Sequence, residues 1–343
     1  MRRLTFFLSG EHSTVPPSEV VGAIEAEGCE CRAIDELDQV LVVESDIKPR
    51  EIFDRLGMTH WIGENFGICD IDDLIEVIGN SDLLDFLPHS RKISVRVKRV
   101  RKYFPNIDTQ KLTKEVADEI LDTYDYEVDL EHPDREISII LTEDKSVISI
   151  IQNRVDREAI EERRPPERPA LHPSTMQPNL ARAMVNLART PRNGKFLDPF
   201  CGIGGILIEA GLIGSEPIGA DINKNMLDGA RKNLEDAGIR NYELREGDAR
   251  ELEFEKADAI ATDPPYGRQA STGGSELIDI YKEVLPVLSE TLKMDRYLCI
   301  TAPSDINLEE TAEGCPLDLE EKHQERVHKS LARNIYVFRR SRD

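Results

Sequence analysis

Asp263-Pro264-Pro265-Tyr266-Gly267 places a carboxylate, two rigid prolines and an aromatic ring side by side. The segment follows an apolar run, Ala257-Asp258-Ala259-Ile260-Ala261-Thr262, that reads as a buried strand. This combination can grip a flat exocyclic amine. Asp263 and the Pro264 carbonyl each offer an acceptor for one N–H, Pro265 keeps the turn rigid, and Tyr266 can stack on the ring that carries the amine. In an open α/β sheet, ligands bind outside the carboxyl ends of the strands, which is where this segment would stand. Taken alone, Asp-Pro-Pro-Tyr also fits a plain turn, because proline fixes φ and favours bends.

A second constellation lies upstream. The segment Asp198-Pro199-Phe200-Cys201-Gly202-Ile203-Gly204-Gly205 follows a short strand and opens a helix. Its glycines allow a ligand to approach the backbone closely. A dinucleotide fingerprint needs a further glycine three residues after Gly204, where Leu207 stands. Asp221 ends the next strand, where a carboxylate can hold both hydroxyls of a ribose. Asp248, after Gly247, ends the third and can accept from an adenine amine. Each acidic residue alone is more simply a helix cap or a solvated loop end. Asp198, Asp221, Asp248 and Asp263 at successive strand ends, with a glycine turn at the first, call for a ligand with a ribose and an adenine but no phosphate cradle. S-adenosylmethionine fits this better than NAD.

These residues need a scaffold, and the chain supplies one from Asn179 onward. Helical stretches Leu180–Ala188, Gly205–Leu212, Lys224–Ala237 and Leu277–Leu292 alternate with strands ending at Asp198, Asp221, Asp248 and Asp263. Tyr297–Ala302 and Asn334–Arg339 add two more strands. The pattern predicts a doubly wound α/β sheet. The first 70 residues read β-α-β-β-α-β, a ferredoxin-like order. Ile71–Leu87 reads as helical with an interruption near Gly79. Thr109–Thr123 reads as an amphipathic helix, and Glu136–Leu141 with Ser146–Ile151 as a hairpin. Residues 156–178 are rich in proline and charge and predict a semi-rigid linker.

The chain has 343 residues, enough for two or three domains, and 39% hydrophobic residues, enough for a sizeable core. No apolar run is long enough for a membrane helix, and the N-terminal Leu4-Thr5-Phe6-Phe7-Leu8 is too short for a signal segment, so a cytoplasmic protein is expected. Six scattered cysteines offer one close pair, Cys29 and Cys31, and no second, which argues for reduced thiols and against zinc. The net charge of −22 argues against a generic nucleic-acid binder. A non-nucleic-acid substrate and a surface adapted to a salt-rich cytoplasm both fit it. The local exception is Arg91–Lys102, with seven basic residues and no acidic one. Ile93, Val95 and Val97 alternate there with Ser94, Arg96 and Lys98, as in a half-buried strand. Arg96, Lys98, Arg99, Arg101 and Lys102 are candidate RNA contacts, and a solvated edge strand guarded by charge is the competing reading. Arg326–Arg333 is a second basic segment, which fits either RNA or a solvated hairpin.

Residues 195–267 resemble class I S-adenosylmethionine-dependent methyltransferases of the amino-methylating type. The resemblance rests on the glycine turn and on the Asp-Pro-Pro-Tyr form of the catalytic segment. Residues 71–155 resemble a THUMP domain, an RNA-binding module. The strings Arg168-Pro169-Ala170-Leu171-His172-Pro173-Ser174-Thr175-Met176-Gln177-Pro178-Asn179-Leu180-Ala181-Arg182 and Phe200-Cys201-Gly202-Ile203-Gly204-Gly205-Ile206-Leu207-Ile208-Glu209-Ala210 are similar to archaeal tRNA guanosine N2-methyltransferases acting at position ten. The resemblance implies a ferredoxin-like unit at residues 1–70, a THUMP domain at 71–155, the linker, and a Rossmann-like methyltransferase domain at 179–343. It implies methyl transfer from S-adenosylmethionine to N2 of a tRNA guanosine, once or twice, without a metal. Asp263, Pro264, Pro265 and Tyr266 would serve catalysis. Asp198, Cys201, Gly202, Gly204, Asp221 and Asp248 would hold the cofactor. A guanosine elsewhere in tRNA or ribosomal RNA, or adenine N6, would fit the same amine grip. A non-catalytic RNA-binding protein is opposed by the intact Asp263 and glycine turn.

Overall fold

The computed structural model describes all residues except 84–85, 88–91, 124–125, 174, 266–273, 329–330 and 342–343. Contacts divide the chain into two units. The first comprises Met1–Pro17, Cys29–Asp54 and Thr59–Val155, and the second Ser18–Gly28, Arg55–Met58 and Asp156–Asp343.

Up to residue 155 the elements are β1 (Arg2–Leu8), α1 (Val15–Ala26), β2 (Cys31–Leu37), β3 (Val40–Ser45), α2 (Pro49–Ile52), β4 (Thr59–Cys69), α3 (Leu74–Asn80), β5 (Lys92–Arg99), α4 (Thr109–Thr123), β6 (Glu127–Val128), β7 (Arg135–Thr142) and β8 (Lys145–Arg154). Their strands form one sheet in the order β2-β3-β1-β4-β8-β7-β5-β6. Strand β4 pairs antiparallel with β1 on one side and with β8 on the other, so the sheet runs unbroken through the first unit. Apolar alternation explains the packing. Ile137, Ile139, Ile148 and Ile150 bury one face against Leu74 and Ile78 of α3 and Val116 and Ile120 of α4. Phe7, Val40, Val42, Trp61, Ile140 and Val147 form a further core. The helical stretch expected over 71–87 is shorter in the structure. A 3-10 turn at Ile71–Asp73 leads into α3, which ends just after Gly79. A Cβ on Gly79 would stand 3.0 Å from Glu119 Oε1, so glycine here permits a close approach to α4.

The second unit adds α5 (Arg157–Glu161), α6 (Pro178–Leu187), β9 (Lys195–Asp198), α7 (Gly205–Leu212), β10 (Glu216–Asp221), α8 (Lys224–Asp236), β11 (Glu243–Glu246), β12 (Ala257–Thr262), α9 (Gly274–Thr291), β13 (Leu292–Pro303), α10 (Leu308–Thr311), β14 (Leu317–His328) and β15 (Leu331–Arg340). The sheet order is β11-β10-β9-β12-β13-β15-β14. Strands β11 to β13 are mutually parallel, and β15 runs antiparallel to both β13 and β14. The chain starts in the middle at β9, builds outward through β10 and β11, then crosses to β12 and β13. The reversal falls between β9 and β12, where a doubly wound sheet opens its ligand crevice. Tyr281, Leu285 and Leu288 of α9 pack on Ile260, Leu298, Ile300 and Phe338.

Strand β14 escapes a reading by pattern. Leu317–His328 is dominated by Glu, Lys, Gln and His, and two register shifts break its alternation. It is an edge strand, where charge is tolerated and blunts further pairing.

Residues 156–178 pack into the second unit. Asp156 caps α5 by accepting from Ala159 N at 3.0 Å. Arg163 donates to both oxygens of the fully buried Glu209 on α7, at 3.0 Å each, and Arg182 Nε donates to Oε2 at 2.8 Å. A buried carboxylate needs such partners, and losing one would leave an uncompensated charge. Residues 18–28 and 55–58 are tied in similarly. Glu19 accepts from Gly57 N at 2.6 Å, Met58 N at 2.8 Å and Asn186 Nδ2 at 3.0 Å. Arg55 donates to Asn186 Oδ1 at 3.0 Å and to the Thr190 carbonyl at 2.8 Å. Among the described residues, no helix is long and apolar enough to cross a membrane.

Candidate active site

The carboxyl edge of the second sheet gathers the acidic residues. Asp198 ends β9 and Asp221 ends β10. Asp263 follows β12, the neighbour of β9, through the register pair Ile260–Leu197. Asp198 is 1% exposed, and its Oδ1 accepts from Thr262 Oγ1 at 2.7 Å and Phe200 N at 3.2 Å. Burial pushes its carboxyl up to about 7. The charges of Asp263 and Asp221 reinforce that shift, and its two donors oppose it.

The glycine turn is built as its sequence requires. Gly202 and Gly204 have φ of +51° and +82°, which side chains rarely adopt. A Cβ on Gly202 would meet nothing within 4 Å, so the turn leaves open space at that point. A Cβ on Gly204 would lie 3.2 Å from Ala230 Cβ, so this glycine also seats α8 against the turn. Asp221 spans the turn: Oδ2 accepts from Gly202 N at 3.0 Å and Oδ1 from Asn223 N at 2.8 Å. Burial raises its carboxyl, with both backbone donors opposing. A carboxylate has about four lone-pair sites, so acceptors remain for a diol. Cys201 is buried, its N donates to the Ala220 carbonyl at 2.9 Å, and burial pushes its thiol well up. It acts as a packed apolar side chain beneath the turn.

Asp248 lies two residues beyond β11 and not at its end. Arg250 engages both its oxygens, with Nε at 2.9 Å from Oδ1 and Nη2 at 2.5 Å from Oδ2. This pairing, aided by the Arg250 backbone N–H, holds the Asp248 carboxyl below its ordinary range.

At Asp263, Oδ1 accepts from Thr301 Oγ1 of β13 and Oδ2 from Arg333 Nη1 of β15 at 3.0 Å. Burial raises the Asp263 carboxyl, and Arg333 and Thr301 work against that rise. Pro264 is buried and Pro265 exposed, so the prolines set the chain's exit from the strand. Tyr266 lies outside the described residues.

A model of an RMKL-like methyltransferase domain matches residues 165–335, and a THUMP domain model matches residues 69–151. The tRNA (guanine(10)-N2)-dimethyltransferase of Methanothermobacter thermautotrophicus is 35% identical over 335 residues, covering 97% of this chain and 98% of its own. That of Methanocaldococcus jannaschii is 32% identical, covering 98% and 99%. The chain belongs to the tRNA (guanine(10)-N2)-dimethyltransferase family. Among solved structures, TrmN from Thermus thermophilus superposes with a TM-score of 0.54 at 18% identity, covering 98% of this chain and 99% of that one. SMU.472, a putative methyltransferase complexed with SAH, has a TM-score of 0.54 at 17% identity over the full length of both chains. These two likenesses concern the fold.

In this family member the basic strand of the THUMP region is more engaged than its sequence suggests. Arg96 Nε lies 3.2 Å from Glu136 Oε1, and its Nη2 donates to the Leu130 carbonyl at 2.9 Å. Arg101 Nε lies 2.7 Å from Asp38 Oδ2. Arg99 donates to the Ile107 carbonyl. Lys98 Nζ sits 4.3 Å above the Phe7 ring, and Lys102 is exposed. Strand β5 pairs along its length with β7 and only briefly with β6, so it is nearly an edge strand. Of the second basic segment, residues 329–330 lie outside the described residues, and Arg333 is 5% exposed against Asp263. That arginine is buried and donates to Asp263 and Glu325. Thr301 and Arg333 were not legible as site residues, because they reach Asp263 from distant segments and carry no motif.

Proposed function

We propose that this protein transfers methyl groups from S-adenosylmethionine to the exocyclic N2 of a guanosine in tRNA, at position ten, giving N2-methylguanosine and then N2,N2-dimethylguanosine. The observation that carries this reading is the fixed carboxylate of Asp263, held at the switch-point edge beside a glycine turn and the Asp221 carboxylate. The near full-length likeness to two archaeal tRNA (guanine(10)-N2)-dimethyltransferases supports the substrate and the position.

The residues present suit the cofactor. Gly202 opens space at the turn, Asp221 has acceptors for ribose hydroxyls, and Cys201 and Gly204 shape the floor. The acidic edge formed by Asp198, Asp221 and Asp263 favours a cationic ligand. Asp248, fixed by Arg250, is assigned to the adenine side through its remaining lone pairs. When bound, S-adenosylmethionine supplies an activated methyl on a sulfonium centre, so no metal is required.

Guanine N2 is a poor nucleophile because its lone pair is delocalised into the ring. Asp263 and the Pro264 carbonyl accept its two N–H bonds and hold the nitrogen, and Tyr266 is assigned to stack on the base. The sulfonium would take up the electron pair of the bond to its methyl group on transfer, and Asp263 would accept the proton that the nitrogen releases. Such positioning is worth roughly 7–11 kcal/mol of barrier. The base must leave its stack to reach the pocket, at a cost of a few kcal/mol. Residues 71–155 are assigned to RNA as a THUMP domain, residues 1–70 to a ferredoxin-like unit beside it, and the protein to the cytoplasm. Nucleoside analysis of tRNA treated with enzyme and labelled cofactor tests this. Label in N2-methylated guanosine at position ten is expected, whereas label in N6-methyladenosine, or in guanosine elsewhere, overturns the assignment.

A further inference from the structure

Asp263 is the terminus of a three-residue relay that crosses three strands. Arg333, at the start of β15, stands opposite Pro303 of β13 and Glu325 of β14. Its Nη1 donates to Asp263 Oδ2 at 3.0 Å and its Nε donates to Glu325 Oε2. The guanidinium is therefore shared between two carboxylates. Thr301 on β13 donates to the other Asp263 oxygen. The Arg333 side chain is 6% exposed and that of Asp263 18%. An exposed arginine would gain little from such a pair, but a buried one is held by geometry on both sides.

We propose that Arg333, oriented by Glu325, is a positioning residue that holds the Asp263 carboxylate as a fixed, charged acceptor for the substrate amine. This rests on the amine-gripping role of Asp263 proposed above. The reason is chemical. A carboxylate accepts from an amine, whereas a carboxylic acid presents an O–H and loses that acceptor. The charged and titratable groups facing Asp263 include Arg333 of β15, Glu325 of β14 and Asp198 of β9, with the neutral Thr301 of β13 also in contact. Arg333 is the cation of that set. Burial and Glu325 favour the protonated form, and Arg333 and Thr301 favour the charged one. Arg333 and Thr301 occupy one lone pair on each oxygen, and each oxygen keeps another.

The test is the pH profile of single-turnover methyl transfer to a tRNA transcript by the full-length enzyme. Arg333→Met should lose about 100-fold in rate at neutral pH. The midpoint of its acid limb should move up by about one pH unit or more. Arg333→Lys should keep the wild-type midpoint while losing part of the rate. Glu325→Gln keeps an acceptor for Arg333 but removes a negative charge, so its midpoint should move the other way, to lower pH. Affinity for S-adenosylhomocysteine should stay within about twofold in all three. A merely structural Arg333 would lower folding and cofactor affinity without moving the midpoint. Arg333→Met with the wild-type rate and profile overturns the proposal. If that variant does not fold, an unshifted or raised midpoint in Glu325→Gln overturns it. Asp263→Ala separates the two levels: a fully active Asp263→Ala sinks the amine grip itself, whereas an inactive one beside an unaltered Arg333→Met sinks the relay alone.

Discussion

At the scale of single residues, the carboxylates divide by their partners. Asp221 bridges Gly202 and Asn223 through backbone N–H groups, and it is proposed to hold the ribose diol. Asp221→Ala should weaken S-adenosylmethionine binding by roughly 1.5–3 kcal/mol, the usual worth of a hydrogen bond to a charged group. Calorimetry should show that loss with tRNA affinity unchanged. Asp198 gives a pH signature. Its carboxyl rises in the folded protein to about 7 because it is buried. The folded state therefore binds more protons than the unfolded chain between about pH 4 and that value, and stability falls as pH rises through this window. Asp198→Asn keeps acceptors for Thr262 and Phe200 and removes the titration. Melting of the apo protein should show wild type losing ground to the variant from about pH 4 to about pH 7. A constant difference would mean that Asp198 is not buried as described. These residues were legible because strand ends in a doubly wound sheet have a fixed address. Asp248 was placed at a strand end, and the structure sets it two residues later in the grip of Arg250. A short-range arginine partner leaves no periodic trace. Arg333 is 70 residues from Asp263 and meets it only because the final hairpin folds back antiparallel.

At the scale of elements, most of the sheet strands and long helices followed from apolar period. Thr109–Thr123 and Gly205–Leu212 have the limits their patterns predict. Strand β14 was invisible because its residues favour helices and its partner lies across a turn. For β5, the pattern gave the strand but not the pairing of its arginines. Arg96 and Arg101 already face Glu136 and Asp38, whereas among the described residues no such carboxylate pairing is seen at Lys98 or Lys102. If β5 is an RNA footprint, Lys98→Ser with Lys102→Ser should weaken tRNA binding more than Arg96→Ser with Arg101→Ser. It should also flatten the salt dependence, since each phosphate contact adds about 0.7–0.9 to the slope of log affinity against log salt. Equal, negligible effects in a binding titration at two salt concentrations would place the footprint elsewhere.

At the scale of the whole molecule, contiguous sequence and physical unit part company. The linker expected at residues 156–178 reads as the boundary of the catalytic half, yet residues 18–28 and 55–58 belong with that half by contact. Arg55 is fully buried against Asn186 and Thr190, and Glu19 satisfies Asn186 from the other side. A fragment of residues 156–343 would leave Asn186 without those partners and strip the helix face that Gly22 approaches so closely: a Cβ there would stand 2.5 Å from the Asn186 carbonyl. Such orphaned buried groups cost about 1–3 kcal/mol each. The fragment should therefore melt well below the full chain, and S-adenosylhomocysteine should raise its melting temperature. It should methylate tRNA poorly. A fragment as stable as the full chain would show that these contacts carry little. No pattern within residues 1–70 signals this, because α1 reads as an ordinary ferredoxin-like helix.

The proposed action of Asp263 and Pro264 is on an amine at C2 of one guanine. It is tested most directly by single-turnover methyl transfer to a tRNA carrying inosine in place of guanosine at position ten. Inosine keeps the ring, the ribose and the phosphate but has no exocyclic amine. This tRNA should bind, compete with the natural substrate and accept no methyl group. Methyl transfer to the inosine tRNA at the wild-type rate would contradict it.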